Sequence, residues 1–196
     1  SLIMRATLPP ITGTERIFFG QNADSPFKDE RVRIAYMRTI DRDAFIAAAA
    51  NTDQFAKEGL PVEVFWEGAF GAGYYRSAYL DPKSKEYGPN AKNFVVDIAE
   101  AKKLLEAAGH KTPFDIEQVY AAPGPSSFPA GFFTRSEIFM GMVESSGIFK
   151  MKRNLINYQT EWNTERYITS GGKFSGVTWG PDTSPPDGAS AAFFQY

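Results

Sequence analysis

A chain of 196 residues, 43% hydrophobic and 22% charged, carries enough apolar material for one large or two small globular domains and is not a disordered composition. Its net charge of −2 offers no basic excess to neutralise phosphates, so nucleic acid is not an expected partner. With no cysteine, disulfide staples, thiolate metal sites and cysteine nucleophiles are excluded, and with a single histidine, His-rich metal sites and most Ser-His-Asp schemes depend entirely on His110.

Taken in order, residues 1–15 carry Pro9-Pro10 and Gly13 and read as an irregular lead-in. Arg16-Ile-Phe-Phe-Gly-Gln-Asn22 predicts a short strand. Asp29 is placed to cap a helix through about Thr39, with Val32, Ala35 and Tyr36 on one face, and Asp41 to cap a second over 42–50. Residues 51–96 read as a long, mostly irregular region. Within it, Phe65-Trp-Glu-Gly-Ala-Phe-Gly-Ala-Gly-Tyr-Tyr-Arg-Ser-Ala-Tyr79 sets aromatics on a glycine-rich backbone. Loops this long are either functional or packed as insertions, so Tyr74, Tyr75 and Arg76 are candidate ligand contacts against the plainer reading that the rings pin the loop down.

Asp97-Ile-Ala-Glu100 has the form of a capping box opening a helix that Gly109 ends, with Ile98, Ala101, Leu104, Leu105 and Ala108 as its apolar face. His110, just past that end, reads as a solvated histidine at a helix C-terminus. A strand over 114–120 follows, then the turn Pro123-Gly-Pro-Ser, a helix over roughly 129–145 ended by Gly147, a strand over 149–158 and a helix over 160–169. Beyond Gly171-Gly172, the first half of Phe174-Ser-Gly-Val-Thr-Trp-Gly-Pro-Asp182 reads as a buried strand and the second half as a break. Asp187 caps a last helix. Helices alternating with strands predict α/β layers.

Ligands of open α/β sheets sit outside the carboxyl ends of strands, and there Trp179 and Asp182 would offer an aromatic face and a negative charge. Turn chemistry alone also accounts for an aspartate between two prolines, and core packing for a tryptophan at a strand end. Gly171-Gly172 and Gly71-Ala-Gly73 lack the spacing of phosphate loops, and the acid pair Asp41/Asp43 reads as helix-start charge rather than as catalytic carboxylates.

Several segments together resemble family 5 of the extracellular solute-binding proteins, the dipeptide-, oligopeptide- and nickel-binding components of ABC importers. They are Pro26-Phe-Lys-Asp-Glu-Arg-Val-Arg-Ile-Ala35, Thr39-Ile-Asp-Arg-Asp-Ala-Phe-Ile46, Ala99-Glu-Ala-Lys-Lys-Leu-Leu-Glu-Ala-Ala-Gly109, Tyr158-Gln-Thr-Glu-Trp-Asn-Thr-Glu-Arg-Tyr167 and Trp179-Gly-Pro-Asp182, in this order. Ile98 and Ser175 stand where the family usually has Pro and Asp, and 51–96 matches poorly.

The resemblance implies one lobe of a type II periplasmic binding protein-like fold, helices layered on a central mixed sheet. Residues 16–196 would form the second lobe, stopping before the chain returns to the first. It implies no enzyme activity and no cofactor, but reversible capture of a peptide or similar amine-bearing solute in a cleft between lobes. The other partners would be ABC permease subunits, in the periplasm or on the outer side of the membrane, with contact to the membrane only through the permease or a lipid anchor. In peptide-binding members an aspartate at the place of Asp182 takes the ligand's ammonium, Trp162 and Trp179 match tryptophans lining side-chain pockets, and Gly180 matches a position whose backbone borders the ligand. A sugar, opine or metal chelate in the same receptor fold is the alternative, and a carboxylate-dependent hydrolase a remote one.

Overall fold

The computed structural model describes residues 15–60, 64–66, 79–122, 132–161, 172 and 174–181. They divide into two units, one of residues 17–64 and 92–180, the other drawn from 1–16, 65–91 and 181–196. The elements run β1 (Glu15–Phe19), α1 (Glu30–Met37), α2 (Arg42–Ala50), α3 (Thr52–Lys57), α4 (Ile98–Ala107), β2 (Phe114–Ala121), α5 (Phe132–Ser145), β3 (Phe149–Ile156) and β4 (Val177–Pro181), with short 3-10 helices at Pro26–Lys28, Lys85–Tyr87 and Pro89–Phe94.

Short polar side chains start the helices. Asp29 accepts the N–H of Arg31, Asp41 that of Ala44 and Asp97 that of Glu100, each occupying an amide that helix geometry leaves without a carbonyl. The capping box at Asp97 is only half formed. Glu100 does not reach back: the Asp97 N–H is taken by the Arg38 carbonyl at 3.0 Å, and Glu100 turns toward Lys103. At the other end of α4, Gly109 stands at φ 86°, and the Gly109 and His110 amides donate to the Glu106 and Leu105 carbonyls. His110 is partly exposed past this helix end, with its ring 4.2 Å from that of Phe114 and tilted 32° to it, because the turn brings it over the first residue of β2.

One expected stretch is refined and one is corrected. The mostly irregular region 51–96 opens with a short helix that sequence did not mark. A single left-handed residue, Asn51 at φ 52°, ends α2, and α3 begins at once. β3 stops at Ile156 rather than 158, because the Asn157 side chain caps the amides of Gln159 and Thr160 and opens a π-helical turn over 158–161. The lead-in over 1–14, the turn at 123–126, the helix expected over 160–169 beyond Glu161 and the helix expected from Asp187 lie outside the described residues.

The four strands make one mixed sheet in the order β1-β4-β2-β3. β2 runs parallel to both neighbours, with Val119 opposite Thr178 on one side and Asn154 on the other. β1 runs antiparallel to β4: Gly20 N–H donates to the Gly176 carbonyl and Asn22 N–H to that of Phe174, so one numbering rises as the other falls. The closeness of these strands depends on missing side chains. A Cβ on Gly20 would collide with the Phe174 carbonyl, and one on Gly176 with the Glu117 carbonyl.

One sheet face carries most of the core. Tyr36 is fully buried at its centre, with Phe19, Phe27, Phe139 and Phe149 at 5.5–6.1 Å, and Val32, Leu105, Met140 and Val143 pack in the same cluster. Such ring pairs contribute about 0.5–1.5 kcal/mol each beyond the area they bury. The other face holds a smaller cluster of Val119, Ile156 and Phe174 with Phe18 and Tyr158. Phe18 and Phe19 therefore serve opposite faces, as strand periodicity requires.

Candidate functional site

Three parallel strands place their carboxyl ends on one edge of the sheet. β4 ends at Pro181, β2 at Ala121 and β3 at Ile156. The row Thr178–Val119–Asn154 fixes the level, so two residues further on Gly180 and Ile156 close the row on either side of Ala121, about 10 Å apart by strand spacing. α5 connects β2 to β3, and its first turn therefore lies at this same end, where free helix amides carry a partial positive charge. The chain continues from β4 directly into Asp182, and from the turn that follows β3 directly into Trp162. Of the residues singled out in the sequence, Trp179 and Gly180 lie on β4, whereas Asp182, Trp162, Tyr74, Tyr75 and Arg76 lie outside the described residues.

Trp179 is 2% exposed. Its ring stacks on Phe139 of α5, 6.2 Å away and 13° from parallel, and meets the edge of Phe45 of α2 at 5.8 Å. The Arg135 guanidinium, on the first turn of α5, lies 5.8 Å over the same ring. Sequence reading did not single out Arg135, Phe45 or Phe139. Nothing local marks them, since each reaches Trp179 only through the packing of two helices on the sheet.

In the second unit, the aromatic stretch is tied down where it is described. The Tyr79 hydroxyl donates to the Trp66 carbonyl at 2.9 Å, Phe65 meets Tyr79 edge-on at 5.8 Å, and the Lys83 ammonium lies 4.4 Å over the Trp66 ring. A cavity of about 160 Å³ beside α3 is lined by Asn51, Gln54, Phe55, Glu58 and Leu60. It is the dimple of a helix end. Leu60 N–H donates to the Phe55 carbonyl past a left-handed Gly59, a geometry that brings those two apolar side chains together.

Tyr120, one residue before the end of β2, is a perturbed acid–base group, as are Asp29 and Glu144. Asp29 is held at about 2, first by the Arg31 guanidinium that hydrogen-bonds it. Glu144 is lowered chiefly by Arg153, and Tyr120 is raised, first by burial and then by its bond to Glu137. No group of acidic or histidine side chains suited to a metal ion occurs among the described residues, and none of their helices is long and apolar enough to cross a membrane.

The comparisons place this architecture. No curated protein matches the chain. Among solved structures, a periplasmic murein tripeptide binding protein, MppA, in its unliganded open form, aligns at 18% identity and TM-score 0.66 over 96% of this chain and 32% of its own. DppA from Helicobacter pylori, in complex with the peptide STSA, aligns at 15% and 0.59, over 94% and 30%. AgaA from A. tumefacien R10, in complex with agropinic acid, aligns at 22% and 0.57, over 88% and 29%. Identities this low establish a shared fold, that of the type II periplasmic binding proteins, and the chain spans about a third of the length of these structures. The family model described as "Bacterial extracellular solute-binding proteins, family 5 Middle" matches residues 5–195, nearly the whole sequence, and the chain belongs to that family.

Proposed function

We propose that this chain is a ligand-capturing lobe of an ABC-importer receptor, taking a peptide or similar amine-bearing solute between itself and a second lobe. The observation that carries the reading is the single sheet end at which β4 and β3 stop, one short of Asp182 and one turn short of Trp162, in a chain whose family is one of solute receptors. Asp182 takes the ligand ammonium, the Gly180 backbone borders the ligand, and Trp162 lines a side-chain pocket. Trp179, buried between Phe45 and Phe139, supports the strand end from beneath. Tyr74, Tyr75 and Arg76 belong to the loop where ligand preference is set. The mechanism is reversible capture with closure of two lobes, so no bond is made or broken. Such a receptor works outside the cytoplasmic membrane and hands its ligand to permease subunits.

The test is calorimetric titration of the intact receptor with amine-bearing ligands. A hydrogen bond to a charged group contributes about 1.5–3 kcal/mol, so Asp182→Ala weakens binding by roughly 10- to 150-fold. Unchanged affinity removes the role of Asp182. A second reading, a non-peptide solute such as an opine, is favoured by the similarity to AgaA with its agropinic acid. Mass spectrometry of ligand co-purified with the intact receptor separates the two, and recovery of peptides alone counts against the second.

A further inference from the structure

We infer that Glu144 and Arg153 form a plug that keeps the open edge of the sheet from pairing with a second copy of this chain. Among the described residues, β3 is the last strand in the order β1-β4-β2-β3. Its ladder with β2 begins with Phe114 N–H donating to the Ile148 carbonyl and ends with Ala122 N–H donating to that of Ile156. In a parallel ladder this turns the main-chain groups of the even-numbered residues toward β2, and those of Phe149, Met151, Arg153 and Leu155 outward. An eight-residue edge with outward N–H and C=O groups is a template for another strand.

At Met151 both outward groups are already occupied. Its N–H donates to Glu144 Oε1 at 3.1 Å, and its carbonyl accepts from Arg153 Nη1 at 3.4 Å. The two side chains lock each other, Arg153 Nη2 donating to Glu144 Oε2 at 3.0 Å. Arg153 Nε donates to Glu137 Oε2 at 3.1 Å, and Glu137 Oε1 takes the hydroxyl of Tyr120, itself 1% exposed, at 2.6 Å. The plug is thus anchored through Glu137 to the core under α5. An ordinary surface ion pair would leave the strand amide alone; this one is built around it. Lys150 and Lys152, both exposed on the opposite face, add like charges that oppose the approach of an identical strand. The excluded occupant is a twofold-related β3, which presents the same outward row at the same spacing and the same half-exposed Leu155.

The experiment compares the full chain, K150T/K152T and E144A/K150T/K152T by sedimentation over a wide concentration range, with amide hydrogen exchange read at Met151. The chain and the double variant stay monomeric. The triple variant associates to dimers as concentration rises, and in the dilute monomer its Met151 amide exchanges at least about tenfold faster, because an unbonded edge amide has lost its protection. Adding E144Q in place of E144A restores the monomer, since the amide oxygen still accepts from Met151. If the alanine variant lacks native circular dichroism, R153A/K150T/K152T opens the edge from the carbonyl side and carries the same expectation of association, while its Met151 amide keeps the bond to Glu144. A folded triple variant that stays monomeric, a double variant that already dimerises, or an unchanged Met151 exchange rate in E144A/K150T/K152T overturns the inference.

Discussion

Replacing Trp179 by alanine tests the proposal that this ring supports the strand end that leads into Asp182. The ring is 2% exposed and closed in by Phe45 and Phe139. A buried tryptophan removes about 150–250 Å² from water, which at ~25 cal/mol/Å² comes to about 4–6 kcal/mol. Measured truncations of this kind cost about 3–5 kcal/mol, because neighbours relax only in part into the space left behind. For a chain of this size that lowers the melting temperature by roughly 6–20 °C. Urea unfolding followed by far-ultraviolet circular dichroism gives the number, and Trp179→Phe, which keeps an aromatic ring against Phe139, loses markedly less. An alanine variant within about 1 kcal/mol of the parent would refute the reasoning, since no well-packed buried ring of this size leaves so cheaply.

Gly176→Ala forces a Cβ against the Glu117 carbonyl and is expected to cost about 2 kcal/mol or more in denaturant unfolding, whereas Gly59→Ala, at φ +74° with open space around it, costs only the strain of that conformation, about 1–2 kcal/mol. Asp97→Ala removes the cap of α4 and the partner of Arg38, whose side chain is 9% exposed, so a loss of about 2–3 kcal/mol is expected, and Asp97→Asn, which keeps the cap, loses less. Asp29 titrates at about 2 in the folded chain against 3.8 for the free group; its stabilising contribution is present above 3.8 and disappears as pH falls through 2. Asp29→Asn keeps a capping side chain while removing the charge, so it should flatten the acid limb of the stability curve between pH 4 and 2, most visibly at low salt; an unchanged limb would remove the assignment.

Much of this architecture can be read locally, and the reason is visible at particular residues. Asp29, Asp41 and Asp97 announce helices because a carboxylate next to free amides is a short-range device, and Gly109 and Gly147 announce their ends because a left-handed backbone needs a missing side chain. α3 escaped because one residue, Asn51, breaks the chain between two helices with neither glycine nor proline to mark it. The strand order was not legible at all. β4 lies between β1 and β2 through pairings more than 150 residues apart in one direction and about 60 in the other, and no local pattern encodes them. The candidate site was legible in part. Chain order places Asp182 just past a strand end, and the structure supplies what sequence could not: the neighbouring carboxyl ends of β2 and β3, and the three side chains that surround Trp179.

The antiparallel pairing of β1 with β4 reaches beyond the sheet itself. Continued from Gly20–Gly176, it sets the start of β1 at Glu15 beside the end of β4 at Pro181, so the first and last strands of the sheet bring their outer ends together, while the chain makes a separate excursion between residues 64 and 92. Adjoining strand ends of this kind act as a clasp on the sheet, and joining residue 181 to residue 15 through a short linker while reopening the chain at an exposed turn such as Gly59-Leu60 should leave the strand order β1-β4-β2-β3 intact.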